Sequence, residues 1–300
     1  MSYPFGKDAE SYWQRGLSPI PVEPGTKQPA RGLRHWTSYG NNLPKTETRA
    51  EWLTKYSRCN IGLCTGTEFQ AGYRIGAVDI DDERFVNVTT AIIGSDVSSK
   101  AGKKGKTLFV RIPRAAQIRS TALFTSESSS AIDFLYTGKM TVLPPSIHPE
   151  TKLPYRWASS SLLEIDLATL PVFDETKLGL LKRVVASPHS LALTAGVSTH
   201  EAGLRFAAEL VTFGCEDALI FEVFKSLLPS NYSGNSMQEL PEWIGSARRK
   251  GFGEPNRQAQ KRSAADKLID LFEQSGATLF HDEGRRSDLP PKKWTGLGCF

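Results

Sequence analysis

The sequence predicts an α+β fold that is followed by a small all-helical region. Two patterns in the 300 residues lead to this prediction. Short segments rich in β-branched and aromatic residues dominate the first half, with helical segments between them, whereas apolar residues recur at helical spacing after Pro171. A chain of this length that is 39% hydrophobic can bury a substantial core in one or two domains.

Five strands are predicted in the first half from short runs of apolar and β-branched residues. They cover residues 60–66, 73–81, 107–112, 130–136 and 140–146. Helices are predicted at residues 48–56 and in the segment that follows Asp81. Such a mixture of strands and helices is typical of α/β or α+β proteins.

Three helices are predicted in the part of the chain after the strands. The first begins at Ser198, which forms a capping-box pattern with Glu201 three residues later, and it ends at Gly214. The second carries an apolar stripe over residues 219–228. The third lies around residues 240–250 and ends in a basic cluster.

These patterns predict four parts. Residues 1–178 form the α+β domain, and residues 190–253 form the helical domain. Residues 179–189 are interpreted as the linker between them. Residues 254–300 combine an amphipathic segment with an irregular tail, which we interpret as the start of a further region.

The positive charge of the chain is concentrated in one segment. The formal net charge is +5, from 37 lysines and arginines against 32 acidic residues. Residues 97–126 hold seven of the basic residues and no acidic one, so the rest of the chain is slightly acidic. A charge run is often only a solvated surface, but a cluster of one sign also suits the phosphate groups of nucleic acid or of a nucleotide.

Some locations and sites are disfavoured by the sequence. No stretch approaches the roughly 18 apolar residues of a membrane span, and the amino terminus lacks the basic-then-apolar pattern of a signal peptide. We therefore expect a soluble cytoplasmic protein without a membrane partner. The four cysteines form no Cys-x-x-Cys pair, which argues against a structural zinc site.

Gly105, Lys106 and Thr107 match the end of a phosphate-binding P-loop. A P-loop needs a glycine five residues earlier, and it runs from a strand into a helix. Lys100 stands at that earlier position, and the residues after Thr107 predict a strand. The P-loop interpretation is therefore rejected.

Acidic residues at two predicted strands suggest a cation site. Asp79 and Asp81 end one strand, where the two-residue period puts both carboxylates on one face. Asp133 lies between Ile132 and Phe134 in another strand, where an unpaired buried carboxylate is costly. Paired divalent cations that straddle a phosphoryl group, roughly 3.5–4 Å apart, need such a set of carboxylates. Acids that solvate a turn or an edge strand, or that cap a helix, are the alternative, whereas the sequence after Asp81 excludes an EF-hand.

Six motifs follow one another in order along residues 8–175. They are GLSPIPVEPGTKQPA, NIGLCTG, GAVDID, the basic turn into TLFVRI, IDFLYTGKMTVLPPSIHP and YRW. In order and spacing they resemble the primase-polymerase domain of the archaeo-eukaryotic primase superfamily, in the form carried by phage and plasmid replication proteins. Residues 190–253 are similar to the primase carboxy-terminal helical module. The motif LFHDEG, residues 279–284, resembles the joint that leads into a helicase in longer relatives.

The resemblance implies an archaeo-eukaryotic primase core, with an RRM-like palm and an N-terminal α/β unit. It implies a DNA primase or DNA polymerase, a nucleotidyltransferase that makes or extends primers in phage or plasmid replication. Asp79, Asp81 and Asp133 are then the catalytic residues that hold two Mg²⁺ or Mn²⁺ ions. The expected partners are a single-stranded DNA template, nucleoside triphosphates and a replicative helicase in cis or in trans.

The resemblance also implies binding residues around the basic turn and at the end of the last helix. Nucleotide contacts are expected from Lys106, Thr107, Arg111, Ser146 and His148. DNA contacts are expected from Lys103, Lys104, Arg248, Arg249 and Lys250. The family usually has a histidine where Thr107 stands. This departure leaves a catalytically silent DNA-binding module of a replication initiator as the main alternative, and a metal nuclease as a third.

Overall fold

Two antiparallel sheets organise the fold in the computed structural model, which describes residues 3–253. This part of the chain contains eight α-helices and ten β-strands. The predicted α+β class is therefore confirmed.

A three-stranded sheet forms an N-terminal layer. Its order is β1–β2–β9, where β1 is Ser18–Val22, β2 is Asn60–Cys64 and β9 is Met140–Val142. Helices α1 (Pro4–Gln14) and α2 (Thr46–Lys55) contact one another, and α1 also packs on β1 and β2. Their buried aromatic residues are Phe5, Tyr12, Trp13 and Trp52.

The larger sheet has seven antiparallel strands in the order β10–β5–β6–β4–β8–β7, with β3 paired to β4. Its strands are β3 Glu68–Gln70, β4 Tyr73–Ile80, β5 Ser99–Ala101, β6 Lys106–Pro113, β7 Thr121–Phe124, β8 Ser130–Leu135 and β10 Arg156–Trp157. All five predicted strands are present in the two sheets. The strand predicted at residues 140–146 is shorter than expected, because β9 ends before the Pro144–Pro145 step.

The two faces of the larger sheet belong to different cores. Val78 and Phe134 lie in a core that includes helix α3, Val86–Ile93. Ala77 and Phe109, which have the opposite parity on their strands, lie in the core of the N-terminal layer. The side chains of Asp79, Thr107 and Asp133 lie on the same face of the larger sheet as those of Ala77 and Phe109.

Within residues 3–253, five α-helices follow the sheets. They are α4 Glu175–Ala186, α5 Pro188–Ala195, α6 Thr199–Phe213, α7 Asp217–Leu227 and α8 Ser236–Arg249. The linker predicted at residues 179–189 is wrong, because α4 and the first residues of α5 occupy it and bury apolar side chains there. Phe206 and Trp243 belong to the same core as Val78. The helical region therefore packs onto the α+β part, and it is not the separate domain predicted for residues 190–253.

The start of α6 differs from its prediction. Ser198 has a left-handed backbone with φ of 48°, and its side chain makes no capping hydrogen bond. Glu201 accepts a hydrogen bond from Arg205 at 2.7 Å instead of closing a capping box. Gly214 ends the helix with φ of 90°, as expected for a glycine at this position.

Other expectations concern cysteines, membranes and the tail. Cys59, Cys64 and Cys215 are free and buried. Within residues 3–253, no helix combines the length and the apolar character needed to cross a membrane. The predictions for residues 254–300, including LFHDEG, and the fourth cysteine, Cys299, lie outside the described residues.

Candidate active site

A row of polar residues crosses the larger sheet near the end of β4. Asp79 is directly opposite Thr107 on β6 and Asp133 on β8. Thr107 is in turn opposite Lys100 on β5. Directly opposed residues project to the same face of an antiparallel sheet. The side chains of Lys100, Thr107, Asp79 and Asp133 therefore form one line across four neighbouring strands.

Asp81 joins this line at the edge of the strand. It follows the last residue of β4, and its backbone N–H donates to the carbonyl of Ala131 on β8 at 2.9 Å. Partial burial raises the pKa of Asp81, and so do the charges of Asp79 and Asp133. Partial burial and the charge of Asp79 likewise raise the pKa of Asp133. The carboxylates are thus close enough to repel one another.

The chemistry of this donor set fits a hard divalent cation. Carboxylate oxygens are the ligands that Mg²⁺ and Mn²⁺ prefer, and a cation would relieve the repulsion among the acids. The hydroxyl of Thr107 donates to Oδ1 of Asp79 and orients that carboxylate. In the described part of the chain, no three acidic, histidine or cysteine side chains converge into a complete metal cage.

A cleft of about 270 Å³ lies beside this row of side chains. It is lined by five lysines, three acids and four other residues: Lys27, Lys100, Lys103, Lys104, Lys106, Asp79, Asp81, Glu150, Gly102, Thr107, His148 and Tyr155. Asp133 lies on the far side of Asp79 and does not line the cleft. An excess of positive charge beside a group of carboxylates suits a ligand that carries phosphate.

Two lysines of this cleft, Lys27 and Lys100, were not among the predicted site residues, and Lys100 is the buried one of the two. The residue is 5% exposed, and its Nζ lies 4.8 Å from the centre of the Tyr155 ring. Within residues 3–253, Nζ has no hydrogen bond and no close ion pair. Burial lowers the pKa of Lys100, and the charge of Asp79 opposes that shift. The side chain of Lys100 is largely buried while its residue lines the cleft, and phosphate oxygens there would supply acceptors for Nζ.

The lysines of the basic turn are held differently. Lys106 donates to Asp96 at 2.7 Å, and Lys103 donates to Glu150 at 2.8 Å. Lys104 is exposed at the rim of the cleft. Lys106 was predicted to contact the nucleotide; it lines the cleft, but its ammonium is already paired with a carboxylate.

The basic turn lies close against the end of β4, and this requires a glycine. Gly105 has φ of 60°, and a Cβ atom there would overlap the carbonyl oxygen of Ile80. Lys106 begins β6 immediately afterwards. A strand follows the Gly-Lys-Thr sequence, and this confirms that the segment is not a P-loop.

Two residues predicted to bind nucleotide have structural contacts instead, and neither lines the cleft. Nε of Arg111 donates to the carbonyl of Leu170 at 2.8 Å, and its guanidinium lies over the ring of Tyr73. Ser146 is fully buried; its hydroxyl donates to the carbonyl of Ile61 at 3.1 Å and accepts from the Ile61 N–H at 2.9 Å. Arg111 links β6 to the segment just before α4, and Ser146 links its own loop to β2.

His148 does line the cleft, and it is buried. Its Nδ1 accepts from the backbone N–H groups of Glu150 at 3.1 Å and Thr151 at 3.3 Å. Burial lowers the pKa of His148, as does the charge of Lys27. A neutral imidazole whose Nδ1 accepts hydrogen bonds carries its proton on Nε2. His148 therefore fixes the loop that follows it and keeps one donor for a ligand.

The basic cluster at the end of α8 has partners of its own. Arg248 forms an ion pair with Asp217, and Arg249 pairs with Glu242 at 2.6 Å. Lys250 is the C-cap residue of the same helix. None of the three basic residues lines the cleft. Their predicted DNA contacts gain no support from these positions, and cations at a helix C-terminus also complement the helix dipole.

Comparison with known proteins identifies the N-terminal part of the chain. A family model described as the N-terminal domain of bifunctional DNA primase/polymerase, Prim-Pol, matches residues 9–172. The match covers more than half of the chain and includes the whole polar row and the cleft. No curated protein matches the sequence. The similarity of residues 190–253 to a primase carboxy-terminal module gains no support from this match.

Proposed function

The chain belongs to the bifunctional DNA primase/polymerase family, and we propose that it is a metal-dependent nucleotidyltransferase that makes or extends primers on single-stranded DNA. The observation that carries the proposal is the line of Lys100, Thr107, Asp79 and Asp133 beside a lysine-rich cleft. It combines acids for metal ions with cations for phosphates on one face of one sheet.

The acids are proposed to bind two Mg²⁺ or Mn²⁺ ions. Bound ions of this kind activate a 3′-hydroxyl and neutralise charge on the transferring phosphoryl group. Asp79 and Asp133 are held on adjacent strands, and the Ala131 carbonyl holds Asp81 beside them. The Thr107 hydroxyl fixes the orientation of Asp79. The sheet thereby positions the ligands before the substrate arrives.

The cleft is proposed to bind the triphosphate of the incoming nucleotide. Lys100 supplies an ammonium that makes no hydrogen bond within residues 3–253, and His148 supplies the Nε2–H donor. Lys103 and Lys104 add positive charge at the rim. Lys106 stays with Asp96 and supports the turn, so Lys100 replaces it as the principal phosphate contact in our proposal.

The biological setting is also a proposal. The ordered motifs of residues 8–175 resemble the form of the domain found in phage and plasmid replication proteins. This resemblance supports a cytoplasmic role in such replication, together with a helicase in cis or in trans.

Two observations favour a second candidate, a catalytically silent DNA-binding module. Thr107 stands where the family usually has a histidine, and the acids form no complete cage in the described residues. An assay of primer synthesis and primer extension on single-stranded DNA, with each nucleotide type and each metal, separates the candidates. The proposed enzyme incorporates nucleotides only with a divalent metal. A silent module binds the DNA and incorporates nothing, and a metal nuclease cuts the DNA without nucleotides.

A further inference from the structure

A second cavity, of about 370 Å³, adjoins the first cleft. Gly102, Lys103, His148 and Tyr155 line both of them. One wall, made by the turn after β5 and the loop around His148, therefore separates two binding spaces. The volume of the second cavity falls within the range of about 300–1,000 Å³ that is typical of small-ligand sites.

A short hairpin, residues 147–154, forms the outer side of the second cavity. Ile147 and Pro154 pair as an isolated bridge, and the N–H of His148 donates to the carbonyl of Leu153 at 2.8 Å. Lys152 has φ of 58°, which turns the chain between them. The bonds that Nδ1 of His148 accepts fix the tip of the hairpin. The hairpin is thus ordered by its own contacts and needs no ligand to hold its shape.

The hairpin presents apolar side chains to solvent in basic surroundings. Leu153 is 65% exposed and Ile147 is 40% exposed. Arg156, in the edge strand β10, is exposed and has no ion pair within residues 3–253. Among residues 3–253, none that lines the cavity is acidic, and Glu150 nearby is paired with Lys103. An apolar platform beside an unpaired cation matches the two parts of a nucleotide, the face of its base and its phosphate.

We propose that the second cavity and this hairpin bind one unpaired nucleotide of single-stranded DNA. Its base lies against Leu153, and its phosphate lies near Arg156, the lining cation that has no ion pair within residues 3–253. The inference rests on the proposed function. A nucleotide bound in the first cleft would place the single-stranded DNA on the other side of the wall that the two spaces share. A base that is paired and stacked in a duplex cannot enter the cavity, so the site selects single-stranded over duplex DNA.

The test measures binding of a fluorescently labelled oligothymidine by anisotropy at several salt concentrations. Leu153→Ser, which loses apolar contact, and Arg156→Ala, which loses a phosphate contact, should each raise Kd by about fivefold or more. Leu153→Tyr should bind at least as tightly as the wild type, because a base can stack on the added ring. Arg156→Ala should also reduce the slope of log K against log salt by about 0.7, the value for one lost phosphate contact. The matched controls Val197→Ser, at a residue 57% exposed, and Lys182→Ala, at an exposed residue of α4, should behave like the wild type.

Two results would overturn the inference. One is unchanged Kd and salt slope in both Leu153→Ser and Arg156→Ala. The other is an equal loss of single-stranded and duplex binding, which would indicate a general basic surface.

Binding of a nucleoside triphosphate with Mn²⁺ in the absence of DNA should be the same for Leu153→Ser and the wild type. A wild-type protein that binds DNA through the hairpin but incorporates no nucleotide would refute the proposed catalysis and support this inference.

Discussion

Replacement of Lys100 by methionine tests whether the buried cation binds nucleotide phosphates. Methionine removes the charge and keeps an unbranched side chain. Lys100 is 5% exposed, so its bond to a phosphate oxygen would form largely away from water. A hydrogen bond to a charged group contributes about 1.5–3 kcal/mol, which corresponds to a change of roughly 10- to 150-fold. We therefore expect the nucleotide KM of Lys100→Met to rise by at least about tenfold.

Lys106→Met is the matched control in the same cleft. Lys106 is paired with Asp96, and the two side chains are 26% and 22% exposed. Partly exposed ion pairs contribute about 0–1 kcal/mol, so the KM of this variant should change by less than about fivefold. The assay is the initial rate of incorporation against nucleotide concentration at saturating primed template. An unchanged KM in Lys100→Met, or a larger rise in Lys106→Met, would refute the assignment of Lys100.

We also predict that the effect of Lys100→Met on the stability of the protein depends on pH. Burial lowers the pKa of Lys100 from its ordinary 10.5, so the unfolded chain binds this proton more tightly than the folded chain does. The contribution of Lys100 to stability therefore falls as the pH decreases from 10.5 toward the lowered pKa. Lys100→Met removes the free-energy cost of keeping a protonated lysine buried in the folded protein. The substitution should therefore raise the thermal unfolding midpoint near neutral pH, and this increase should shrink as the pH rises. A lower midpoint would contradict the argument.

Further predictions concern the metal, the basic turn and the helical region. Mg²⁺ or Mn²⁺ should raise the thermal unfolding midpoint of the wild type by relieving carboxylate repulsion, and calorimetry of Asp79→Asn should show no such rise. Gly105→Ala should lower the midpoint and abolish incorporation, because the added Cβ overlaps the Ile80 carbonyl oxygen; normal activity would show that the turn adjusts. Arg248→Ala breaks a half-exposed ion pair with Asp217. It should lower the free energy of unfolding, measured with denaturant, by about 1 kcal/mol or less, and it should leave the Kd for DNA unchanged. A several-fold higher Kd would instead support the prediction that Arg248 contacts DNA.

The strands and the acids were predictable because their signals are local. Alternation along β4 places Val78 and Ile80 in a core and gives Asp79 the opposite direction. The same period applied to β8 places Asp133 beside Asp79. A period of two residues needs no knowledge of distant partners, and this is why the acidic part of the site follows from the sequence.

The proposed phosphate contacts were less predictable because their partners are distant in sequence. Lys100 is one lysine among several in a basic run, and the contacts around it come from Tyr155 and from the pairing of β5 with β6 and β10. Arg111 and Ser146 likewise make bonds to residues far along the chain, so proximity to a motif did not reveal their contacts. The predicted linker failed for a related reason, because its apolar residues complete a core built mostly by other segments.

The most direct test of the central claim is template-directed incorporation by the wild type and by Asp79→Asn. A labelled primer on single-stranded DNA is incubated with nucleoside triphosphates and with Mg²⁺, Mn²⁺ or a chelator. Glu222→Gln, at an exposed acid of α7, serves as the matched control. We predict that the wild type and Glu222→Gln extend the primer only with a metal, and that folded Asp79→Asn does not extend it. Extension by Asp79→Asn at the wild-type rate, or DNA binding by the wild type without extension under any metal, would contradict the account.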